Sequence, residues 1–456
     1  MKRAKRNRMK RTGAILLAML AMPASAQLLR GGSGGLGGLG SGLGSGLGGL
    51  TSGLSGQGES GGTIGNGLAS SIGGLDGALA GGLRALDPID LLAARRERLH
   101  ALVSSNRAVL DSDAAGNPIR RDEILATDPA PDALAKATAA GFAIKRRETV
   151  DGLGIAIVVL ATPKHLAARK ALATLQTLDP HGAYALNHVY EPAHAKLAPA
   201  NGSVAGGAAA GGAGAAVLGL IDGGVGAHPA FAHAPIEQRG FAGNPRPSGH
   251  GTAVASLMVG ESGPFRGAAP GARLLAADIY GGDAANGSAE AIVRAIGWLV
   301  SRDVRVINIS LVGAANPLLA AAVTAAQAKG VLIVAAVGND GPAAPPQYPA
   351  SYDGVIAVTG IDAKGRVLLE AGKATHLDFA APGADMAGAV PGGGWEALRG
   401  TSFAAPLVAA SLARADRGDP AQAIRAVAAD ARPGAKVGRG IVCGSCATPL
   451  RAVGLK

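Results

Sequence analysis

From residue 217 to residue 414, short apolar runs alternate with stretches of helical composition, and this alternation constrains the fold more than any other feature. The apolar runs lie at 217–221, 274–279, 304–309, 331–337 and 355–358. Each is too short for a helix and lacks the polar alternation of a half-exposed strand, so each reads as a strand buried on both faces. The stretches between them, 252–259, 289–300, 317–329 and 402–414, are rich in Ala and Leu and read as helices. Strands and helices in strict alternation predict an α/β fold with a mostly parallel sheet and helices on both faces. Aromatic residues are only 3% of the chain, so its core is built from Ala, Val, Leu and Ile. In such sheets functional groups collect at the carboxyl ends of the strands. Asp222, Ser310 and Asn339 all sit there.

Three segments of this region carry complementary chemistry. Asp222 closes the apolar run Val217-Leu218-Gly219-Leu220-Ile221, where a carboxylate is costly without a partner. His250 lies in Ser248-Gly249-His250-Gly251-Thr252, and an imidazole can take and return a proton near neutral pH. Ser402 lies in Gly400-Thr401-Ser402-Phe403-Ala404-Ala405-Pro406 at a helix start, where the helix dipole favours developing negative charge. A serine hydroxyl becomes a useful nucleophile only beside such a base. Taken singly, Ser402 reads as a helix cap and Asp222 as a turn residue. Their type, order and spacing together point to a charge-assisted nucleophile, in the order Asp, His, Ser found in subtilisin.

All three segments resemble those of the subtilase family of subtilisin-like serine peptidases, over residues 217–414. The resemblance implies a subtilisin-like fold and peptide-bond hydrolysis through an acyl-enzyme on Ser402, with His250 as base and Asp222 orienting it. Asn339, in Gly338-Asn339-Asp340-Gly341, matches the family's oxyanion asparagine. Ser310, Leu311, Val312 and Gly313 match the strand that pairs with polypeptide substrates. Val312 stands where the family commonly has glycine, which predicts a preference for small residues before the cut. No cofactor is assigned: the loops that carry calcium in subtilases are short or missing, and no stretch has the ligand spacing of a calcium loop.

Upstream, residues 1–26 read as a secretory signal peptide: seven basic residues before position 12, an apolar stretch at 14–22, and Ala24-Ser25-Ala26 before Gln27. The protein is therefore expected to be secreted, to the periplasm or the exterior, with no transmembrane anchor once the signal is removed. Setting those seven aside from the 43 basic residues leaves 36 against 32 acidic ones, so the net charge of +11 is no argument for nucleic-acid binding. Residues 27–86 are a tether of Gly, Leu and Ser. Residues 87–192 begin with an amphipathic helix whose Arg95, Arg96, Glu97 and Arg98 read as a solvated face. Strands follow at 142–146, 153–160 and 183–190, with a helix from Pro163 to Leu175. By position and by Val189-Tyr190-Glu191-Pro192, this region resembles the small α+β propeptide of subtilases. The resemblance implies an intramolecular chaperone and inhibitor whose tail lies in the active site like a product. An Ala- and Gly-rich linker spans 193–215, and maturation is expected between about Tyr190 and Ala215.

The peptidase domain is expected at 216–435, and a tail at 436–456 holds Cys443 and Cys446. Their Cys-x-x-Cys spacing serves a disulfide, a redox pair or half a metal site. Secretion and the lack of a second Cys/His pair favour the disulfide. Two further readings remain at this level: a dedicated surface or periplasmic processing peptidase, and a catalytically silent peptide-binding protein.

Overall fold

The computed structural model describes residues 87–193, residue 205 and residues 216–456. The expected signal peptide and tether lie outside the described residues, as does most of the 193–215 linker. Among the described residues no helix is long and apolar enough to cross a membrane.

Helix α1 (Pro88–Ser105) opens the described chain. The Asp87 carboxylate accepts from the Ile89 N–H, and Asp90 reaches back to the Asp87 N–H; with Pro88 in the first turn this is a complete start signal. Next come β1 (Leu110–Ser112), β2 (Pro118–Thr127), α2 (Pro131–Ala139), β3 (Ala143–Val150), β4 (Ile155–Ala161), α3 (Ala168–Leu178) and β5 (Ala183–His188). The five strands make one antiparallel sheet in which β2 pairs with β1, β4 and β5, and β3 lies outside β4. The strands expected at 142–146, 153–160 and 183–190 are present with shifted ends, and the helix expected from Pro163 starts later, at Ala168. One face of this sheet packs Ile124, Ala126, Val158 and Leu160 against α2 and α3. The opposite face presents Leu125, Ile157, Val159 and Ala185 to the following domain. The short strand β6 (Glu191–Pro192) then leaves the module.

The following domain starts with β7 (Val217–Asp222), β8 (Gly224–Val225), β9 (Ile236–Gly240), β10 (Pro247–Ser248) and α4 (Gly249–Val259). A short pair, β11 (Glu261–Ser262) and β12 (Phe265–Arg266), leads to β13 (Arg273–Asp278), α5 (Ala289–Val300), β14 (Val306–Ile309), β15 (Leu311–Val312), α6 (Pro317–Ala328) and β16 (Leu332–Ala336). It ends with β17 (Ile356–Ile361), β18 (Phe379–Pro382), the hairpin β19 (Ala384–Ala389) and β20 (Trp395–Arg399), α7 (Thr401–Ala415) and α8 (Pro420–Asp430). Seven strands form a wholly parallel sheet in the order β18-β17-β16-β14-β7-β13-β9.

Strand residues alternate between two cores, which explains the unbroken apolar runs. Leu218, Leu220, Leu274, Ala276, Val334 and Val358 pack with α4 and α7. Ile221, Leu275, Ala277, Ile307, Ile309 and Ile333 pack with α5 and α6, and there they meet the outer face of the five-stranded module. The C-terminal residues close on the sheet edge. Ile441 bridges to Ala380 and Arg432, Val437 and Val442 are buried, and Cys443 is disulfide-bonded to Cys446.

Candidate active site

Asp222 ends β7 fully buried, and both its carboxylate oxygens lie 2.9 Å from His250 Nδ1. The Gly223 N–H donates to Asp222 Oδ1 at 2.7 Å, so a backbone donor helps hold the charge. His250 stands in the first turn of α4, whose start Ser248 caps by accepting from the Gly251 N–H at 2.9 Å. Two links tie this turn to the loop after Asp222. β8 pairs with β10, and the Gly226 N–H donates to Thr252 Oγ1 at 2.8 Å. Gly251 is required by packing, because a Cβ there would run into the Gly223 carbonyl. Asp278 stands beside Asp222 in the strand register and accepts from the backbone N–H groups of Arg246, Tyr280 and Gly281. Burial pushes its carboxyl above the usual range, against those hydrogen bonds, and the charge of Asp222 adds to the rise.

Ser402 lies fully buried in the first turn of α7. Gly400 before it has φ 144°, a conformation open to glycine alone at little cost. The Ser402 carbonyl accepts from Ser310 Oγ at 2.8 Å, and Ser310 Oγ in turn accepts from Asn308 Nδ2 at 2.9 Å. The start of α7 is thereby fixed to the end of β14. His250 and Phe403 rings lie with centroids 5.4 Å apart, which brings the imidazole to the turn that holds Ser402. Ser402 Oγ and His250 Nε2 are each buried without a hydrogen-bond partner among the described residues. The Asp222–His250 link is thus closed while the His250–Ser402 link is open, a common state before a substrate complex tightens it.

Asn339 bridges α7 and the module's tail. Its Oδ1 accepts from the Thr401 N–H at 2.9 Å, which fixes the amide so that Nδ2 faces the cleft. Nδ2 donates to the carbonyl of Ala193. The tail continues backward as a strand: the Ala193 N–H donates to the Ser310 carbonyl at 2.9 Å, and β6 pairs antiparallel with β15, Pro192 opposite Leu311 and Glu191 opposite Val312. Tyr190 is fully buried. Its N–H donates to the Gly287 carbonyl at 2.7 Å, its hydroxyl to the Ala314 carbonyl at 2.6 Å, and its own carbonyl accepts from Tyr280 Oη at 3.0 Å. Burial raises the Tyr190 and Tyr280 hydroxyls well above the ordinary phenol range, so both stay neutral donors.

The residues singled out from the sequence therefore meet in one cleft. Among the four expected to bind substrate, Leu311 and Val312 pair with the tail, and Ser310 does so through its carbonyl while its side chain faces α7. Gly313 bonds Tyr348 instead and forms the floor beneath the Tyr190 ring. Of the solvated face expected at Arg95, Arg96, Glu97 and Arg98, Arg96 and Glu97 are exposed, whereas the two flanking arginines turn inward. Arg95 is buried, its Nε 3.1 Å from Asp340 Oδ2, and Arg98 Nη2 lies 2.9 Å from Asp340 Oδ1. Arg98 also reaches Glu191 at 3.4 Å. These two arginines turn inward because a carboxylate of the cleft lies opposite them, a long-range match that no local pattern reveals. Among the described residues no cluster of His, Cys, Asp or Glu is arranged to hold a metal ion.

A family profile described as the subtilase family matches residues 214–429. Subtilisin BL of Lederbergia lenta is 33% identical over 213 residues, which cover 44% of this chain and 77% of that protein. The chain belongs to the subtilase family. The Major intracellular serine protease of Bacillus subtilis (strain 168) is 37% identical to this subtilase over 174 residues, 36% of the chain and 54% of that relative's length. Fervidolysin from Fervidobacterium pennivorans, a keratinolytic enzyme related to subtilisin, superposes with a TM-score of 0.59 at 19% identity, over 71% of this subtilase and 60% of that chain. That likeness supports the subtilisin-like fold.

Proposed function

We propose that the protein is the secreted precursor of a serine endopeptidase, and that it cuts its own chain after Ala193. One observation carries this reading: the Ala193 carbonyl, at the end of a strand paired with β15, accepts from Asn339 Nδ2 beside the start of α7. A peptide carbonyl in that place is poised for attack from Ser402. His250 Nε2 takes the proton of Ser402 Oγ as the Oγ–C bond forms, and Asp222 holds the imidazole by Nδ1 and balances its charge. The oxyanion is met by Asn339 Nδ2 and by the Ser402 backbone N–H. His250 then returns the proton to the leaving amine, and water releases the acyl group by the same steps in reverse.

The five-stranded module acts as inhibitor and folding aid by placing its tail, Tyr190 to Ala193, along the cleft. Ala193 is small, in keeping with the narrow site expected from Val312. Secretion follows from the charge and apolar pattern of residues 1–26. Intact mass of the purified precursor over time tests the reading. The wild type is expected to yield one species ending at Ala193 and another beginning at His194, while Ser402→Ala stays whole. Cleavage that proceeds equally in Ser402→Ala, or that falls at another bond, refutes it.

A further inference from the structure

Asp340 follows the oxyanion asparagine, yet its carboxylate has no hydrogen-bond or ion-pair partner in its own domain among the described residues. Both oxygens are taken by helix α1: Oδ2 by Arg95 at 3.1 Å and Oδ1 by Arg98 at 2.9 Å. The same Arg98 Nη2 lies 3.4 Å from Glu191 Oε2, so Asp340 and Glu191 stand one guanidinium apart. Arg95 is held in turn by Asn117 Oδ1 at 3.1 Å, and Leu91 of the same helix covers Gly341. The helix thus seats on the loop that carries Asn339 and on the tail that ends at Ala193. Without it, the Asp340 carboxylate loses every cation that faces it among the described residues, and the place of those cations falls open to a basic group from another chain.

We propose that Asp340 is a cation-receiving subsite that selects substrates with Arg or Lys at the position of Glu191, two residues before the one whose carbonyl is attacked, and that α1 fills this subsite in cis. The assignment rests on Ala193 being the residue before the cut. A long basic side chain at position 191 spans the gap that Arg98 now fills and meets Asp340 directly. An acidic one meets a like charge instead, which favours departure of the chain's own tail, Glu191-Pro192-Ala193, once α1 has gone.

The test uses the full chain with Ser402→Ala, so that no cleavage intervenes, and reads amide hydrogen exchange. Arg95→Gln with Arg98→Gln is expected to lower protection at residues 191–193 by about tenfold or more while β7 and β16 stay unchanged. Adding Glu191→Arg to that pair is expected to restore protection, and adding Asp340→Asn to the triple variant to remove it again. No restoration by Glu191→Arg, or restoration that survives Asp340→Asn, overturns the subsite. The released peptidase gives a second readout. A peptide with Tyr-Arg-Pro-Ala before the cut is expected to exceed its Tyr-Glu-Pro-Ala counterpart in kcat/KM by about tenfold, with the ratio near one in Asp340→Asn. Equal rates in the wild type overturn the subsite and leave the peptidase reading standing. Failure to cut either peptide, with the exchange pattern as expected, overturns the peptidase reading and with it the selection of substrates, and leaves Asp340 only as a site for a basic residue of a bound peptide.

Discussion

Replacing Gly313 by Ala isolates the hold of the tail on the cleft from the chemistry of the cleft itself. A Cβ at Gly313 would lie 2.5, 2.7 and 2.8 Å from Cδ1, Cε1 and Cγ of Tyr190. No carbon sits that close to an aromatic ring, and Tyr190 cannot slide aside freely. Its hydroxyl is bonded to the Ala314 carbonyl, its N–H to the Gly287 carbonyl and its carbonyl to Tyr280. Overpacking a filled site of this kind costs about 1–3 kcal/mol. Full ejection of the ring forfeits burial of roughly 150–250 Å², or about 4–6 kcal/mol, so the tail yields locally instead. The tail's occupancy is therefore expected to weaken by about 5- to 150-fold, the factor that 1–3 kcal/mol represents. The assay is the rate at which a small fluorophosphonate labels Ser402 while the five-stranded module, whole or cut after Ala193, is still bound. That reagent meets Ser402 alone and does not enter the Tyr190 seat, so the rate reports how often the tail leaves. Tyr190→Ala should raise labelling as well, and adding it to Gly313→Ala should gain less than the two single changes combined, because both act on one contact. Unchanged labelling in Gly313→Ala, or strict additivity with Tyr190→Ala, refutes the argument.

Asn339→Ala is expected to lower kcat of the released peptidase by about 10²–10³ with little change in KM, the loss seen when subtilisin is deprived of its oxyanion-hole donor; steady-state kinetics decide, and a loss confined to KM contradicts the role. Asp113 gives a pH signature. Burial alone would raise its carboxyl, but hydrogen bonds from His188 and Asn117 outweigh it and bring the value from 3.8 down to about 2. A carboxyl held low in the folded state stabilises above its unfolded value and loses that contribution as pH falls from 3.8 toward 2, a span worth up to about 2 kcal/mol. Asp113→Asn should therefore be less stable than wild type near neutrality by up to that amount, with the gap closing below pH 3.8. Denaturant unfolding against pH measures it, and a gap that persists at pH 2 rejects the linkage.

What the sequence made legible follows from where each strand sits. The five runs read as strands all have paired strands on both sides of the parallel sheet, so nearly every position is apolar and the few polar ones, Asp278, Arg305 and Asn308, do not break the signal. The two strands it hid are the edges. β9 carries Glu237, Gln238 and Arg239, and β18 ends on Pro382; charged residues and proline are what edge strands tolerate. Likewise β2, the centre of the smaller sheet, is broken in pattern by Arg120, Arg121, Asp122 and Glu123 around an irregularity in its pairing with β5. Its apolar residues flank that break, so no single window shows the period of a strand.

The cleft divides in the same manner. Asp222, His250, Ser402 and Asn339 could be named from the sequence because each lies in a short motif whose neighbours serve the same residue. Gly251 lets α4 approach, Gly400 turns the chain into α7, and Thr401 orients the asparagine. Asp340 sits inside one of these motifs without a local signal of its own, since its partners Arg95 and Arg98 lie more than two hundred residues away. A run of charges on a helix carries no mark of whether water or a buried carboxylate will face it. The spacing of the two arginines, one helical turn apart, is compatible with both. The decision is made by the tail, whose docking brings α1, Glu191 and Asp340 to one place. The basic helix, the acidic tail residue and the cleft carboxylate are thus three parts of one contact. With helix α1 seated, one arginine serves two acids that would otherwise repel.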